Sequence, residues 1–317
     1  MHPHSRTRGA LWALIALVFV AVPGVVTADD DGTVQNQISV YTGDNAIGYL
    51  QPLANAIGAT LNSAFGYSAY IPKTSFHIGL EVPVMGLFFE DADKKFLATT
   101  ESGFDPTTQV EVPTVVGDGS AVVVDGTGGA QFAFPGGLQL NSFGLAVPQL
   151  RLSSLAGTEA VVRWVAYDQG DADVGKIDMF GIGGRHSISQ YMGENPSFDI
   201  AVGLLYQTFE VGENDLGNPF VDSSALNIQA QASKRMPVGF ATFEPYGVVQ
   251  WESLDLDVQY SDTNDEPVAV SMEAENSFRF TLGAGLNFVA GQVWADYSFS
   301  DVSNFSFGLA LGNLGRQ

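Results

Sequence analysis

The sequence predicts an all-β fold: an antiparallel transmembrane β-barrel of about ten to twelve strands, preceded by a short N-terminal helical segment. Three observations carry that expectation. Long stretches alternate apolar and polar residues, most clearly over 275–314. The chain opens with a leader that marks it for export. Finally, the connections between the alternating stretches are sorted by length and charge.

In 275–314, Phe278, Phe280, Leu282, Ala284, Leu286 and Phe288 alternate with Ser277, Arg279, Thr281, Gly283, Gly285 and Asn287. After a turn at Ala290-Gly291, Val293, Ala295, Tyr297 and Phe299 alternate with Gln292, Trp294, Asp296 and Ser298. Phe305, Phe307, Leu309 and Leu311 follow the same rule. Successive strand residues point to opposite faces, so each stretch has one apolar face and one polar or small face. The apolar face needs either a second sheet or lipid.

The leader is residues 1–28: Arg6 and Arg8, an apolar run over 10–22, and small residues before Asp29. That is the pattern of a secretory signal peptide. An uncleaved anchor is the alternative, but the run is short of the roughly 20 apolar residues a membrane helix needs. Removing 1–28 takes away Arg6 and Arg8 and no carboxylate, which leaves 11 basic and 35 acidic residues and a net charge of −24. Such a balance excludes a nucleic-acid partner, whose phosphates need Lys and Arg. With no cysteine anywhere, disulfides cannot brace the fold.

Residues 29–72 form a lead-in and an amphipathic helix. Ile47, Leu50, Leu53, Ile57 and Leu61 recur near helical spacing, with Pro52 expected to kink the helix or start a second one and Gly66 to stop it. The helix either packs on a barrel mouth or plugs the bore. The barrel is assigned to 73–317. Its first strand alternates Phe76, Ile78, Leu80 and Val82 with Ser75, His77, Gly79 and Glu81. Residues 90–137 break the rhythm as an insertion, with 109–116 and 121–124 read as a hairpin around 117–119. Further strands are expected over 138–152 (irregular at Pro148), 160–167, 174–191 (with a bulge near Gly183-Gly184), 198–207, 226–233 and 240–254.

Even-numbered strands end in short turns, at 156–157, 193–196, 235–239 and 290–291. Most odd-numbered strands end in longer acidic loops, at 168–173, 212–222 and 255–275, and 300–303 is a short exception. Outer-membrane barrels sort their connections this way, with short turns facing the periplasm. The sorting puts both termini on the periplasmic side. A soluble periplasmic β-sandwich that binds a ligand is the architectural alternative.

Tyr49-Leu50-Gln51-Pro52-Leu53 with Gly58, and Gly181-Ile182-Gly183-Gly184-Arg185-His186-Ser187, resemble an uncharacterised bacterial outer-membrane β-barrel family that joins an N-terminal helix to a barrel. A more distant likeness is to fatty-acid-type outer-membrane channels, which also pair an N-terminal plug with a barrel; their Asn-Pro-Ala-Gly motif is absent here. The chain ends Leu314-Gly315-Arg316-Gln317 rather than on an aromatic residue, so an assembly signal would be internal, at Phe305 or Phe307.

Several residues could line the lumen: His77, Glu81, Arg163, Arg279, Asp296 and Asp199, with Arg185 and Glu252 beside them. Two readings apply. The charges pair across the bore, or they form a selectivity ring for a solute. His77 with a carboxylate could be a general base, whereas His186 and Ser187 are adjacent and point to opposite faces. Residues 168–173 loosely resemble a calcium loop but lack its terminal Glu, and 126–129 lacks the Lys of a phosphate loop. No catalytic residue, metal or cofactor is assigned. The expected partners are outer-membrane lipids and a small-molecule solute. These expectations describe a passive channel or transporter for a small or hydrophobic solute. The alternative is a non-transporting structural or adhesive barrel, and a lipid-modifying enzyme comes third.

Overall fold

The computed structural model describes residues 37–168, 176–193, 196–212, 219–264 and 266–313. The leader 1–28 and most of the loop 168–173 lie outside them. Among these residues one long helix, α1 (Gly43–Leu61), precedes seventeen strands. These are β1 (His77–Phe88), β2 (Lys95–Thr99), β3 (Gln109–Pro113), β4 (Val122–Asp125), β5 (Gln131–Phe134), β6 (Ser142–Ala146), β7 (Gln149–Leu155), β8 (Thr158–Asp168), β9 (Lys176–Ser187), β10 (Asp199–Val211), β11 (Val221–Ser233), β12 (Met236–Val238), β13 (Ala241–Ser261), β14 (Pro267–Glu273), β15 (Phe278–Phe288), β16 (Gly291–Phe299) and β17 (Asn304–Asn313).

Among the described residues ten strands close into one antiparallel barrel, in the order β1-β7-β8-β9-β10-β11-β13-β15-β16-β17 and back to β1. Closure leaves no open sheet edge, so the sandwich alternative falls. The strand predicted over 138–152 is two pieces. β6 pairs with the far half of β1 and β7 with its first half, and Val147-Pro148 break the run between them. Pro has no N–H to give to a ladder. The bulge expected at Gly183-Gly184 is absent, because β9 pairs without a register shift on both sides. Two glycines have no side chains to report the phase there.

The connections are sorted only in part as expected. At one end β7–β8 turns through Ala156-Gly157, both at positive φ, as a two-residue hairpin turn of the I′ kind requires, but at the same end β9 and β10 are joined over 188–198 rather than by a short turn at 193–196. At the other end stand the insertion after β1 and the β13–β14 hairpin. The stretch 255–275 is no open loop: β13 runs on to Ser261 and β14 folds back along it. The insertion is two separate hairpins, β2–β3 and β4–β5, so 109–116 and 121–124 do not pair with each other. The insertion packs on α1 over the long-loop mouth and adds nothing to the wall.

The outward face carries Trp164, Phe180, Ile182, Leu204, Tyr206, Trp251, Phe280, Leu282, Tyr297, Phe299, Phe307 and Leu309, all strongly exposed. A contiguous apolar belt of this size has no place in water. Toward the long loops the code inverts. Along β13 the outward residues change from Val249 and Trp251 to Asp255 and Asp257. The inward ones change from Gln250 and Glu252 to the buried Leu254, Leu256 and Val258. The outward apolar belt therefore ends near Trp251, and a cap with a polar surface and an apolar core begins.

α1 resolves the choice between mouth and plug. It is one uninterrupted helix through Pro52, so the second helix that was expected as an alternative to a kink does not form. Most of α1 is embedded in the cap, where Tyr49, Leu50 and Ile57 join Val112, Phe134, Leu254 and Met272 in one buried cluster. Each such side chain contributes about 1.5–3 kcal/mol. Its last turn and residues 62–71 descend into the bore, so Gly66 lies beyond the helix end. The N-terminal side also departs from expectation. Residues 37–41 lie at the long-loop end, with the Tyr260 hydroxyl donating to the Tyr41 carbonyl at 2.8 Å. The two ends of the described chain are therefore on opposite sides of the barrel.

The cap makes a pH prediction. Burial, and then the charge of Glu101, raise the Tyr41 phenol above its ordinary pKa of 10.0, and burial does the same for Tyr49. A raised pKa favours the neutral form in the folded cap, so this stability is complete below pH 10 and falls as pH rises beyond it. Phenolate absorbance and near-ultraviolet ellipticity should change together, reversibly, from about pH 10 upward. Titration of all phenols with unchanged ellipticity would contradict it.

Candidate functional site: a clamp inside the bore

The bore is occupied by the chain's own segment, and the wall grips that segment by its backbone. The last four carbonyls of a helix have no partner within it, and the helix dipole makes that end negative. Wall side chains supply the missing donors. Arg279 donates to the Ala59 carbonyl at 2.9 Å. Arg163 donates to the carbonyls of Leu61 at 3.0 Å and Ser63 at 2.8 Å. Gln207 also reaches the Leu61 carbonyl, and Asn227 and Gln250 both reach that of Asn62. Further down, Arg151 donates to the Phe65 carbonyl at 2.9 Å and Arg185 to that of Ser68.

The four arginines are fully or almost fully buried, and three are neutralised in place. Arg151 bridges two carboxylates, Glu81 at 2.7 Å and Glu159 at 2.5 Å, and Arg185 shares Glu159 at 2.7 Å. Arg279 pairs with Glu252 at 2.7 Å. Arg163 differs: besides the two carbonyls it bonds Gln149 at 2.8 Å and Gln207, and among the described residues no carboxylate pairs with it. Glu81 also accepts from the Tyr67 hydroxyl and from Gln149. Tyr67 stacks on Trp294 with centroids 4.1 Å apart. Phe65 is seated where the wall is bare, since a Cβ on Gly183 or Gly203 would meet its ring at 2.9 Å. At Gly66 a Cβ would lie 2.6 Å from the Arg185 guanidinium carbon, so only glycine lets the backbone pass this close.

Of the predicted lumen residues, Glu81, Arg163, Arg279, Arg185 and Glu252 belong to the clamp. Asp296 faces inward but pairs with no arginine; it accepts from the hydroxyls of Tyr246 at 2.7 Å and Ser306. Asp199 sits at the short-turn rim and pairs with Arg235 at 3.2 Å instead of crossing the lumen. His77 lies on the inward side at the same rim, in register with Ser153. His186 faces outward, against Thr158 and Tyr191, with Ser187 on the other face. Gly126-Thr127-Gly128-Gly129 is the bend between β4 and β5. Arg151, Glu159 and Tyr67 went unread. The alternation Leu150-Arg151-Leu152-Ser153 carried the signal for the first.

A family model described as "Family of unknown function (DUF6588)" matches residues 10–313. No curated protein matches the sequence. Several solved structures are similar. The outer membrane protease OmpT of Escherichia coli shares 6% identity, with 79% of this chain and 98% of that one covered and a TM-score of 0.32. The β domain of the Bordetella autotransporter BrkA shares 10%, covering 76% and 100%, with a TM-score of 0.29. A Pseudomonas aeruginosa FadL homologue shares 10%, covering 92% and 99%, with a TM-score of 0.27. At this distance the three say nothing of activity.

Proposed function

We infer that this chain, which belongs to the family of unknown function DUF6588, is a gated outer-membrane conduit for a small hydrophilic solute, closed at rest by its own segment 43–71. One observation carries the reading: level with the outward apolar belt the bore is lined mainly by polar and charged side chains, broken by small apolar patches around Phe65 and Tyr67, while the large apolar cluster lies in the cap. A permanent filling is at least as stable when apolar, because buried ion pairs rarely outperform hydrophobic side chains of similar volume. A polar wall has a different merit, since it can be rewetted when the segment leaves. Gln229 and Gln231 already turn amide nitrogens inward that no protein atom accepts. The outward apolar belt and the closed, even-stranded antiparallel sheet support placement in lipid and in the outer membrane.

With about ten strands the emptied bore is narrow, which limits cargo to small molecules. The polar lining disfavours the hydrophobic cargo allowed by the sequence. The test is planar-bilayer conductance of the full chain. Wild type should be nearly silent, and Arg163→Ala should open in discrete steps. A folded Arg163→Ala barrel that stays silent would favour the non-transporting structural reading.

A further inference from the structure

At the short-turn mouth, on the β9–β10–β11 side, lies a cavity of about 630 Å³. One wall is the end of the luminal segment, with Tyr70 and Lys73. The other is the barrel rim, with Gln190, Asp199, Lys234 and Arg235. Thr74, Ser187, Ser189 and Ser197 make up much of the rest of the lining.

The distribution of charge makes this cavity unusual. The chain has far more acids than bases, so its cations should all find carboxylates. On the long-loop side they do: Lys94 with Asp91, Lys95 with Glu111 and Lys176 with Asp178. Four arginines are committed to the clamp. The remaining described cations are Lys73, Lys234 and Arg235, and all three line this one cavity. Arg235 has Asp199 at 3.2 Å and stacks on the Tyr70 ring at 3.3 Å, which fixes its plane. Lys73 donates only to the Gln190 carbonyl, at 3.1 Å. Lys234 lies 5.5 Å from the Phe198 ring centroid. Among the described residues neither lysine has a carboxylate within salt-bridge distance. Two lysines with no carboxylate partner among the described residues and a positioned guanidinium thus line one polar hollow with room for several heavy atoms.

We propose that this cavity is a binding site for a phosphate-bearing anion, gripped by Lys73 and Lys234 with Arg235 as the oriented third donor. Ammonium groups bind phosphate as point charges and guanidinium as a planar fork, so the set suits a tetrahedral anion. The phosphate has two sources. Lys234 and Phe198 stand on the outward side of the rim, at the height of a lipid headgroup, and the cavity also opens to the aqueous mouth. The inference goes beyond the gating reading and describes the closed state, in which Tyr70 and Lys73 form one wall of the cavity.

The experiment is calorimetric titration of the full chain in non-ionic detergent. One arm uses inorganic phosphate, the other dihexanoyl phosphatidylglycerol. Saturable binding is expected, at least about 10-fold weaker in the Lys73→Gln/Lys234→Gln double variant, or about 1.4 kcal/mol. Both lysines are exposed, so the variant should fold, as heat-modifiable gel migration would verify. Binding of the lipid alone assigns the site to a headgroup of the facing leaflet, and equal binding of inorganic phosphate assigns it to a soluble anion. Affinity in the wild type should also fall steeply between low and high salt. The proposal is overturned if neither probe binds, if the double variant binds unchanged, or if binding is insensitive to salt.

Discussion

Arg151→Ala should lower the unfolding free energy by about 3–5 kcal/mol, the cost of removing one partner from a buried ion pair. The residue is the hub of the clamp, holding Glu81 at 2.7 Å, Glu159 at 2.5 Å and the Phe65 carbonyl at 2.9 Å. Alanine strands Glu81 with no cation and leaves Glu159 with Arg185 alone. The loss is electrostatic, which a second variant isolates. Glu81→Gln/Arg151→Met removes one charge of each sign and keeps the volume, and Glu159 stays paired with Arg185. Its stability should return to within about 1–2 kcal/mol of wild type. Urea titration of tryptophan fluorescence in micelles gives both values. An Arg151→Ala midpoint indistinguishable from wild type would mean that water reaches these carboxylates and the bore is not closed.

The architecture was legible because a lipid-facing wall and a polar bore impose a strict two-residue code on every strand. That code placed Glu81, Arg163, Arg279 and Asp296 inward from parity alone. Parity gives a face but not a height along the strand. Asp199 has the right face and sits at the rim, where Arg235 claims it. Alternation fell silent where side chains are missing or the ladder is broken: Gly183-Gly184 hid an unbroken strand, and Pro148 detached Arg151 from a readable run. The plug was the harder matter. Helical spacing shows that Leu50, Leu53 and Ile57 share a face, but not whether cap or mouth receives it. Residues 62–71 form no helix or strand and so have no period, and the carbonyls of Asn62, Ser63, Phe65 and Ser68 that the wall grips leave no mark in the sequence. A backbone gripped by arginines leaves its trace in the wall's sequence and none in its own.

That division of labour sets up the strongest functional prediction. Arg163 alone of the four arginines pairs with no carboxylate among the described residues, so its removal breaks no ion pair. What its loss weakens is the closed state, by two charge-assisted hydrogen bonds to the carbonyls of Leu61 and Ser63. Each is worth about 1.5–3 kcal/mol. Water recovers part of that, and a net shift of about 3 kcal/mol raises the open fraction roughly 100-fold. Arg163→Ala should therefore conduct where wild type is nearly silent. Tethering decides whether the segment is the gate. The Ser63 hydroxyl lies 2.7 Å from the Asn304 amide across the segment–wall boundary. The chain has no cysteine to compete, so Ser63→Cys/Asn304→Cys can be joined by a short thiol crosslinker in the Arg163→Ala background. Joined, the barrel should fall silent; reduced or left unlinked, it should conduct again. Conductance that persists through a verified crosslink would move the pathway away from segment 43–71, and the gating reading would fail with it.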